Sequence, residues 1–149
     1  MLVPTKILVP TDFSEYSDKA LKQAFDIARQ YGAHVYVLHV IHKRLVDTID
    51  DAGLSYPSYI KDIETHMIDR ARKKLQEEVD KFPTAKETEV FVDVVIGNTS
   101  EAILEEEKRK GIDLIVIASL GRTGVAKYLV GSVARNVLKW AKCPVLLTK

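Results

Sequence analysis

The 149-residue sequence has one cysteine, one tryptophan, two methionines and no long apolar run. Cys143 has no second cysteine with which to form an intrachain disulfide, which is typical of a reducing compartment. No apolar segment approaches the roughly 20 residues that a membrane-spanning helix requires. The first residues also lack the apolar stretch of a signal peptide. These absences predict a cytoplasmic protein in which Cys143 is a packed, unreactive thiol.

An excess of one charge sign is missing too, since 22 Lys and Arg residues balance 21 Asp and Glu residues. A balanced surface has no net field that would attract nucleic acid or an anionic membrane. The length fits one domain over residues 1–149, and no linker or repeat divides it. We therefore expect a single domain that binds neither nucleic acid nor membrane.

Apolar strand patterns alternate with amphipathic helix patterns along the chain. Strands are predicted at 6–10, 34–41, 88–96, 113–118 and 144–148, and helices at 14–31, 58–82, 98–111 and 132–141. The fourth strand is continuously apolar after its first residue, as expected of a parallel strand covered on both faces. The alternation predicts an α/β fold with a doubly wound parallel sheet.

Segment 42–57 interrupts this regularity because it is too long for a simple turn. Leu45, Val46 and Ile49 are spaced for a short helix, whereas the Asp-Asp-Ala-Gly and Tyr-Pro sequences that follow favour irregular structure. We interpret the segment as irregular and mobile. Both a lid over a binding site and an insertion without function are compatible with it.

The glycine-bearing loop between the fourth predicted strand and the last predicted helix carries most of the functional information. It contains Gly121, Gly124 and Gly131. Ser132 is a good N-cap residue, so the helix is expected to begin there with its unpaired N–H groups directed at the end of the preceding strand. A helix N-terminus of this kind binds anions such as phosphate.

A second polar feature lies at the tip of the first strand, where Asp12 follows Pro10 and Thr11. In doubly wound sheets, ligands bind beyond the carboxyl ends of strands. If the first and fourth strands are adjacent, Asp12 can accept hydrogen bonds from ribose hydroxyls while the helix at Ser132 binds phosphates. The alternative is that Asp12 or Ser14 only caps the first helix, and the residues alone leave both open.

Together these segments resemble the universal stress protein family over essentially the whole chain. The resemblance rests on Pro-Thr-Asp-Phe-Ser at 10–14, Leu-His-Val at 38–40, the strand at 113–118, the glycine loop, Gly-Ser-Val-Ala at 131–134 and Cys-Pro-Val-Leu-Leu at 143–147. It implies a Rossmann-like sandwich, with a five-stranded parallel sheet of order 3-2-1-4-5 and helices on both faces.

The ATP-binding branch of that family carries a glycine, two residues, a second glycine, nine residues, and then Gly followed by Ser or Thr. Aligned on Gly131 and Ser132, the second glycine is Gly121 and the first position is Ala118. Alanine would cost about 1 kcal/mol there if the position needs a positive φ. It would be tolerated if glycine serves only for close approach to a ligand. Gly124 has the wrong spacing to replace the missing glycine.

The resemblance implies a bound adenine nucleotide, ATP or AMP, at the carboxyl ends of the first and fourth strands, with Mg²⁺ held mainly by the phosphates. Adenine would lie beside Val40 and Ile117, ribose beside Asp12, and phosphates at the glycine loop. The implied binding residues are Pro10, Thr11, Asp12, Val40, Ile117, Ala118, Gly121, Arg122, Gly131, Ser132 and Val133.

These assignments have structural alternatives. Val40 and Ile117 would be core residues in any parallel sheet. Arg122 and Lys127 fit solvated loop cations as well as phosphate ligands. Ser132 could be a helix cap alone.

No catalytic set or protein metal site is expected. Neither the phosphate-loop motif of P-loop proteins nor the dinucleotide-binding fingerprint is present. Asp62, His66 and Asp69 share one helical stripe, which we interpret as a solvated face because lysine and arginine residues surround it.

We therefore interpret the protein as a stress-response regulator that binds an adenine nucleotide. The alternatives are a dimeric adaptor without nucleotide and a slow ATPase that uses the same site. The resemblance also implies a homodimer through the strand that begins at Pro144 and ends at Thr148, because an apolar sheet edge has unpaired amides. A monomer whose edge is covered by the Cys143 turn and Lys149 is the alternative.

Overall fold

The computed structural model describes residues 2–51, 57–121 and 130–149. Its strands are β1 (Lys6–Pro10), β2 (His34–His42), β3 (Glu89–Gly97), β4 (Leu114–Ala118) and β5 (Val145–Thr148). Its helices are α1 (Glu15–Tyr31), α2 (Lys43–Asp51), α3 (Pro57–Asp80), α4 (Thr99–Lys110) and α5 (Ser132–Trp140), with a short 3-10 helix at Pro83–Glu87. The strands form a parallel sheet of order β3-β2-β1-β4-β5. The predicted doubly wound α/β fold and its strand order are confirmed.

Helices cover both faces of the sheet. On the rear face, α1 and α3 pack against strand residues such as Ile7 and Val9. On the front face, α4 and α5 pack against a second core that includes Leu8 and Ile115. Consecutive strand residues point to opposite faces, so β1 alone contributes to both cores. Each fully buried Leu or Ile stabilises the fold by roughly 1.5–3 kcal/mol relative to an exposed position.

Two predicted boundaries shift for identifiable reasons. Asp113 precedes β4 because its Oδ1 accepts hydrogen bonds from the backbone N–H groups of Thr5 and Lys6, both at 3.0 Å. The long helix α3 ends at Asp80, and the 3-10 helix begins at Pro83. The helix ends before Phe82 because a proline disfavours helical backbone at the residue that precedes it. Within the described ranges, no helix is long and apolar enough to cross a membrane.

The prediction that segment 42–57 is irregular is wrong for its first part. Helix α2 occupies Lys43–Asp51, lies against α3 and β2, and buries Val46. Burial of this apolar side chain outweighs the poor helix propensity of the residues that follow, as tertiary packing commonly does. Residues 52–56 lie outside the described residues, and so does the prediction made for them.

A buried carboxylate holds the turn between α5 and β5. Glu107 Oε1 of α4 accepts hydrogen bonds from the backbone N–H groups of Lys142 at 2.6 Å and Cys143 at 2.7 Å. Burial, followed by the neighbouring Glu107 carboxylate, raises the pKa of the Cys143 thiol to about 12. The thiol therefore remains protonated at neutral pH, in agreement with the expected packed and unreactive cysteine.

Candidate functional site

A cavity of about 460 Å³ opens at the carboxyl ends of β1, β2 and β4, next to the amino end of α5. Doubly wound sheets bind ligands at this position. Its lining residues are Pro10, Thr11, Asp12, Ser17, Leu38, Val40, His42, Thr99, Ile117, Ala118, Ser119, Leu120, Gly121, Gly131, Ser132, Val133 and Ala134. Ten of the eleven predicted binding residues are in this set. The remaining one, Arg122, lies outside the described residues, as does Lys127.

Hydrogen bonds within the turn between β1 and α1 fix Asp12 at one wall of the cavity. Asp12 Oδ1 accepts from Ser14 N at 2.9 Å and from Ser17 Oγ at 3.2 Å. Thr11 Oγ1 accepts from Phe13 N at 3.1 Å and lies 2.9 Å from Ser17 Oγ. Ser14 is the N-cap of α1, with its side chain accepting from Ser17 N. Ser14 therefore caps α1, and the Asp12 side chain lines the cavity.

Phe13, within the same turn, has an unusual backbone conformation. Its φ is 66°, and among the described residues it is the only non-glycine residue with positive φ. For a bulky L-residue this left-handed conformation costs roughly 1–2 kcal/mol. The ring centroid lies 4.5 Å from that of His39, whose Nδ1 is 2.8 Å from the Thr11 carbonyl oxygen. Lys74 Nζ lies 4.3 Å from the same centroid.

At the opposite wall, α5 begins at Ser132, but the predicted N-cap role of Ser132 is wrong. Gly131 is the N-cap, with φ −69° and ψ 166°, and no side chain in the described part of the protein caps the helix. Gly131 N donates to Ser119 O at 2.6 Å, which holds Gly131 beside the end of β4. Ser132 is therefore already helical, and the first-turn N–H groups, which have no intrahelical acceptor, lie at the cavity wall.

Two glycines permit close contacts that a side chain would prevent. A Cβ at Gly121 would lie 2.9 Å from Asp12 Oδ2, and a Cβ at Gly131 would lie 3.3 Å from Ser119 O. Neither glycine has positive φ, so the restriction at both positions is one of space, and it is tighter at Gly121 than at Gly131. The contact at Gly121 brings the tip of β1 against the loop after β4, and these two strands are paired in the sheet. The adjacency on which the ribose and phosphate hypothesis depends is therefore present.

Ala118, at the position of the first family glycine, is the last residue of β4 and pairs with Thr148. Its φ is not positive, so the alanine causes no backbone strain. The interpretation that alanine is strained at the position of the family glycine is therefore excluded. The effect that remains is the space its methyl group takes in the cavity, which Ala118 lines.

Seven cavity residues were not predicted: Ser17, Leu38, His42, Thr99, Ser119, Leu120 and Ala134. Leu38 and His42 could have been found, because alternate residues of a strand face the same side and Val40 had already been selected. Thr99 gives no local signal. It reaches the cavity because β3 pairs with β2 up to the pair of His42 and Gly97, which brings the start of α4 to the same edge of the sheet.

The fold and the cavity define a class: a doubly wound α/β protein with a ligand crevice between the tips of its first and fourth strands. The sequence pattern described as "Universal stress protein family" matches residues 4–149. Universal stress protein MJ0531 of Methanocaldococcus jannaschii is 33% identical, over 97% of this chain and 81% of the relative. Universal stress protein YxiE of Bacillus subtilis is 32% identical, over 97% and 98%. The chain belongs to the universal stress protein family.

Solved structures share the architecture. Protein MJ0577 of Methanocaldococcus jannaschii superposes with a TM-score of 0.83 at 28% identity, covering 99% of this chain and 97% of that one. A universal stress protein in complex with cAMP has a TM-score of 0.67 at 20% identity, covering 98% and 97%. The Archaeoglobus fulgidus protein in complex with dAMP has a TM-score of 0.58 at 21% identity, covering 99% and 100%. At 20% and 21% identity, the last two comparisons show a shared fold, and the bound nucleotides are properties of those two proteins.

Proposed function

We propose that this universal stress protein binds an adenine nucleotide, ATP or AMP, in the cavity at the carboxyl ends of β1 and β4 and thereby acts as a regulator. One observation carries the proposal. A single cavity combines the fixed Asp12 carboxylate with the amino end of α5, which Gly131 leaves open. Carboxylates accept hydrogen bonds from ribose hydroxyls, and helix N–H groups donate to phosphate. A nucleotide carries both groups.

Shape and composition support the same ligand class. The volume of about 460 Å³ falls within the roughly 300–1,000 Å³ of small-molecule sites. Leu38, Val40 and Ile117 line the front-face side of the cavity and also pack in the front core. An apolar surface of this kind suits the flat face of a base. The relatives solved with cAMP and dAMP both hold adenine nucleotides, which favours adenine as the base.

We propose binding without efficient turnover. A hydrolase needs a general base within hydrogen-bond reach of the attacking water. Asp12 is the only carboxylate among the lining residues that the structure describes, and Ser14 and Ser17 already donate to it. Within the same described ranges, no group of three His, Cys, Asp or Glu side chains is placed to hold a metal ion. We therefore expect Mg²⁺ to be bound mainly by the nucleotide phosphates.

Calorimetry with MgATP, AMP and adenosine tests this function. We expect micromolar binding of MgATP, roughly −8 kcal/mol, and much weaker binding of adenosine, which lacks phosphates. Native mass spectrometry of the purified protein should show a co-purified adenine nucleotide. No heat at millimolar MgATP would favour the adaptor without nucleotide, and equal affinity for ATP and adenosine would contradict phosphate binding at α5.

We also propose that two copies associate through β5, which forms one edge of the sheet. The carbonyl oxygens of Pro144 and Thr148 accept hydrogen bonds from the N–H groups of Ile115 in β4 and of Ser119, the residue after β4. Residues 144, 146 and 148 therefore face β4. The backbone groups of Val145 and Leu147 consequently point outward and are placed to pair with a second β5. Nearby exposed apolar side chains belong to Leu146, Leu138 and Trp140, at 37%, 44% and 58% exposure. Their burial would stabilise an antiparallel, two-fold dimer.

Because the backbone N–H of Leu147 points away from β4, a proline at this position tests pairing between two β5 strands. Leu147→Pro removes an outward N–H, so light scattering should report a monomer or aggregate in place of the dimer. Leu147→Ala loses similar packing but keeps the N–H, and should remain dimeric. Leu146→Pro would instead break pairing with β4. A wild-type monomer across micromolar concentrations, or a dimer that survives Leu147→Pro, would place the interface elsewhere or remove it.

A further inference from the structure

We infer that Phe13 is a positioning residue that holds Asp12 in the cavity from the opposite face of the sheet. The inference rests on the proposed nucleotide binding, in which Asp12 accepts hydrogen bonds from ribose. It adds a residue that lies outside the cavity lining and that the ligand would not touch.

A strained conformation persists only where its surroundings compensate for the cost. At φ 66°, Phe13 reverses the chain between the end of β1 and the N-cap Ser14. The reversal separates two consecutive side chains. Asp12 lines the cavity, whereas the Phe13 ring packs against the rear-face core. The left-handed conformation thus allows one turn to present a carboxylate in front while it is anchored by an aromatic ring behind.

Two side chains hold the ring, and each comes from a different element. His39 of β2 lies 4.5 Å from it, centroid to centroid, and its Nδ1 is 2.8 Å from the Thr11 carbonyl oxygen. The imidazole therefore fixes both the ring and the backbone just before Asp12. Lys74 of α3 places its Nζ 4.3 Å from the ring centroid, where a cation is attracted by the π-face.

The position of the Asp12 carboxylate depends on the turn that carries it, because its contacts tolerate only a small displacement. Oδ1 accepts from Ser14 N and Ser17 Oγ, while Oδ2 would be 2.9 Å from a Cβ at Gly121. A turn released from its anchor would sample other conformations. Nucleotide binding would then have to order it, which lowers affinity. The loss should concern ribose contacts and leave phosphate contacts at α5 unchanged.

The test compares ATP, 2′,3′-dideoxy-ATP and tripolyphosphate by calorimetry. The wild type should prefer ATP over the dideoxy nucleotide roughly tenfold or more, as expected for hydrogen bonds to a charged group. Phe13→Gly removes the ring but accepts the backbone conformation without strain. In this variant the preference should fall to about twofold or less if the ring supplies the positioning, with tripolyphosphate affinity unchanged. Phe13→Tyr keeps an aromatic ring and should retain the preference.

Two controls separate positioning from general destabilisation. The Phe82 ring packs against the same rear-face core and contacts Phe25, so Phe82→Ala should lower stability and leave the ribose preference intact. Lys74→Ala, an exposed change that preserves the fold, should reduce the preference about two- to fourfold, in proportion to an exposed cation–π contact. Lys73→Ala, on the same helix, should leave the ribose preference unchanged.

The outcomes are distinct. An undiminished ribose preference in Phe13→Gly overturns the inference, and so does an equal loss of affinity for ATP and tripolyphosphate, which would indicate a general structural defect. A wild type that binds ATP and the dideoxy nucleotide equally removes the role of Asp12 and this inference while leaving nucleotide binding in place. A wild type that binds none of the three ligands removes the proposed function itself.

Discussion

Two polar regions on opposite faces of the sheet, the carboxyl pair behind it and the cavity wall in front of it, differ in what their polar groups contact. On the rear face, Asp18 of α1 and Glu78 of α3 form a carboxyl pair, and Lys81 Nζ lies 2.8 Å from Glu78. On the front face, small residues at the end of β4 and the start of α5 leave backbone groups at a cavity wall. The carboxyl pair behind the sheet interacts with itself and with Lys81, whereas the backbone groups at the cavity wall are placed to meet a ligand. Changes to this carboxyl pair should therefore alter stability, and changes at the cavity wall should alter affinity.

The largest expected effect is that of Gly131→Val on the front face. Its Cβ would lie 3.3 Å from Ser119 O, and its methyl groups would fill the space before the α5 amides, where phosphate must approach. We expect MgATP affinity to fall at least about 100-fold, the order of losing charged hydrogen bonds. Calorimetry measures the affinity, and circular dichroism checks the fold. Ser132→Ala, which keeps the backbone, should weaken affinity by about tenfold, the lower end of what a hydrogen bond to a charged group contributes. Retained affinity in Gly131→Val would place the phosphates elsewhere.

The next effect, that of Gly121→Ala, tests whether the two strand tips act together. A Cβ 2.9 Å from Asp12 Oδ2 must displace the carboxylate or the loop. We expect ATP affinity to weaken about tenfold, comparable to losing one hydrogen bond to a charged group, with little change in thermal stability. Gly97→Ala is the matched control, because nothing lies within 4 Å of its Cβ. If both variants bind like the wild type, the Asp12 carboxylate does not take part in binding.

On the rear face, Asp18 should control stability through its proton. Asp18 Oδ1 is buried without a hydrogen-bond partner among the described residues, and two carboxylates can bond each other only if one is protonated. Burial, and then Glu78, raise the pKa of Asp18 from 3.8 to about 6. Burial alone would raise the pKa of Glu78 as well, but hydrogen bonds from Asp18 and Lys81 lower it. Below about pH 6, Asp18 is therefore the member of the pair that carries the shared proton.

The sign of the pH effect follows from linkage. The pKa of Asp18 is higher in the folded state, so the folded protein takes up a proton between about pH 4 and 6, and the stability from this group falls as pH rises through that window. Asp18→Asn keeps a donor for Glu78 without the charge. At pH 7.5 it should raise the free energy of unfolding by about 1 kcal/mol, a value reduced by solvent screening of a partly exposed group. Urea unfolding at pH 4.5 and 7.5 measures this, and a variant less stable than wild type at pH 7.5 would contradict it.

The sequence was sufficient for elements whose signals are local or periodic. The strand order followed from the family motifs. The start of the helix predicted at 98–111 agrees with the cap at Asn98, and the structure assigns the cap of α1 to Ser14, one of the two candidates that the sequence left open. Tertiary effects were not readable. The spacing of Leu45, Val46 and Ile49 allowed helix α2, but the burial of Val46 that stabilises it is a tertiary contact. Gly131 replaces Ser132 as N-cap because Ser119 O holds it. The left-handed Phe13 has no sequence signal, since an aromatic residue is among the least expected at positive φ.

The smallest expected effect concerns Ala118, which lies where the two faces meet: it lines the cavity and packs partly against the rear core. Because its φ is not positive, Ala118→Gly relieves no strain and should destabilise the fold by no more than about 1 kcal/mol. If the methyl group crowds the nucleotide, the variant should bind ATP about two- to threefold more tightly, since removing a methyl changes contact energies by fractions of a kcal/mol. Calorimetry on the two proteins measures the difference. Unchanged affinity would show that the glycine of the ATP-binding branch is dispensable here, and weaker affinity would mean that the methyl group supports the ligand.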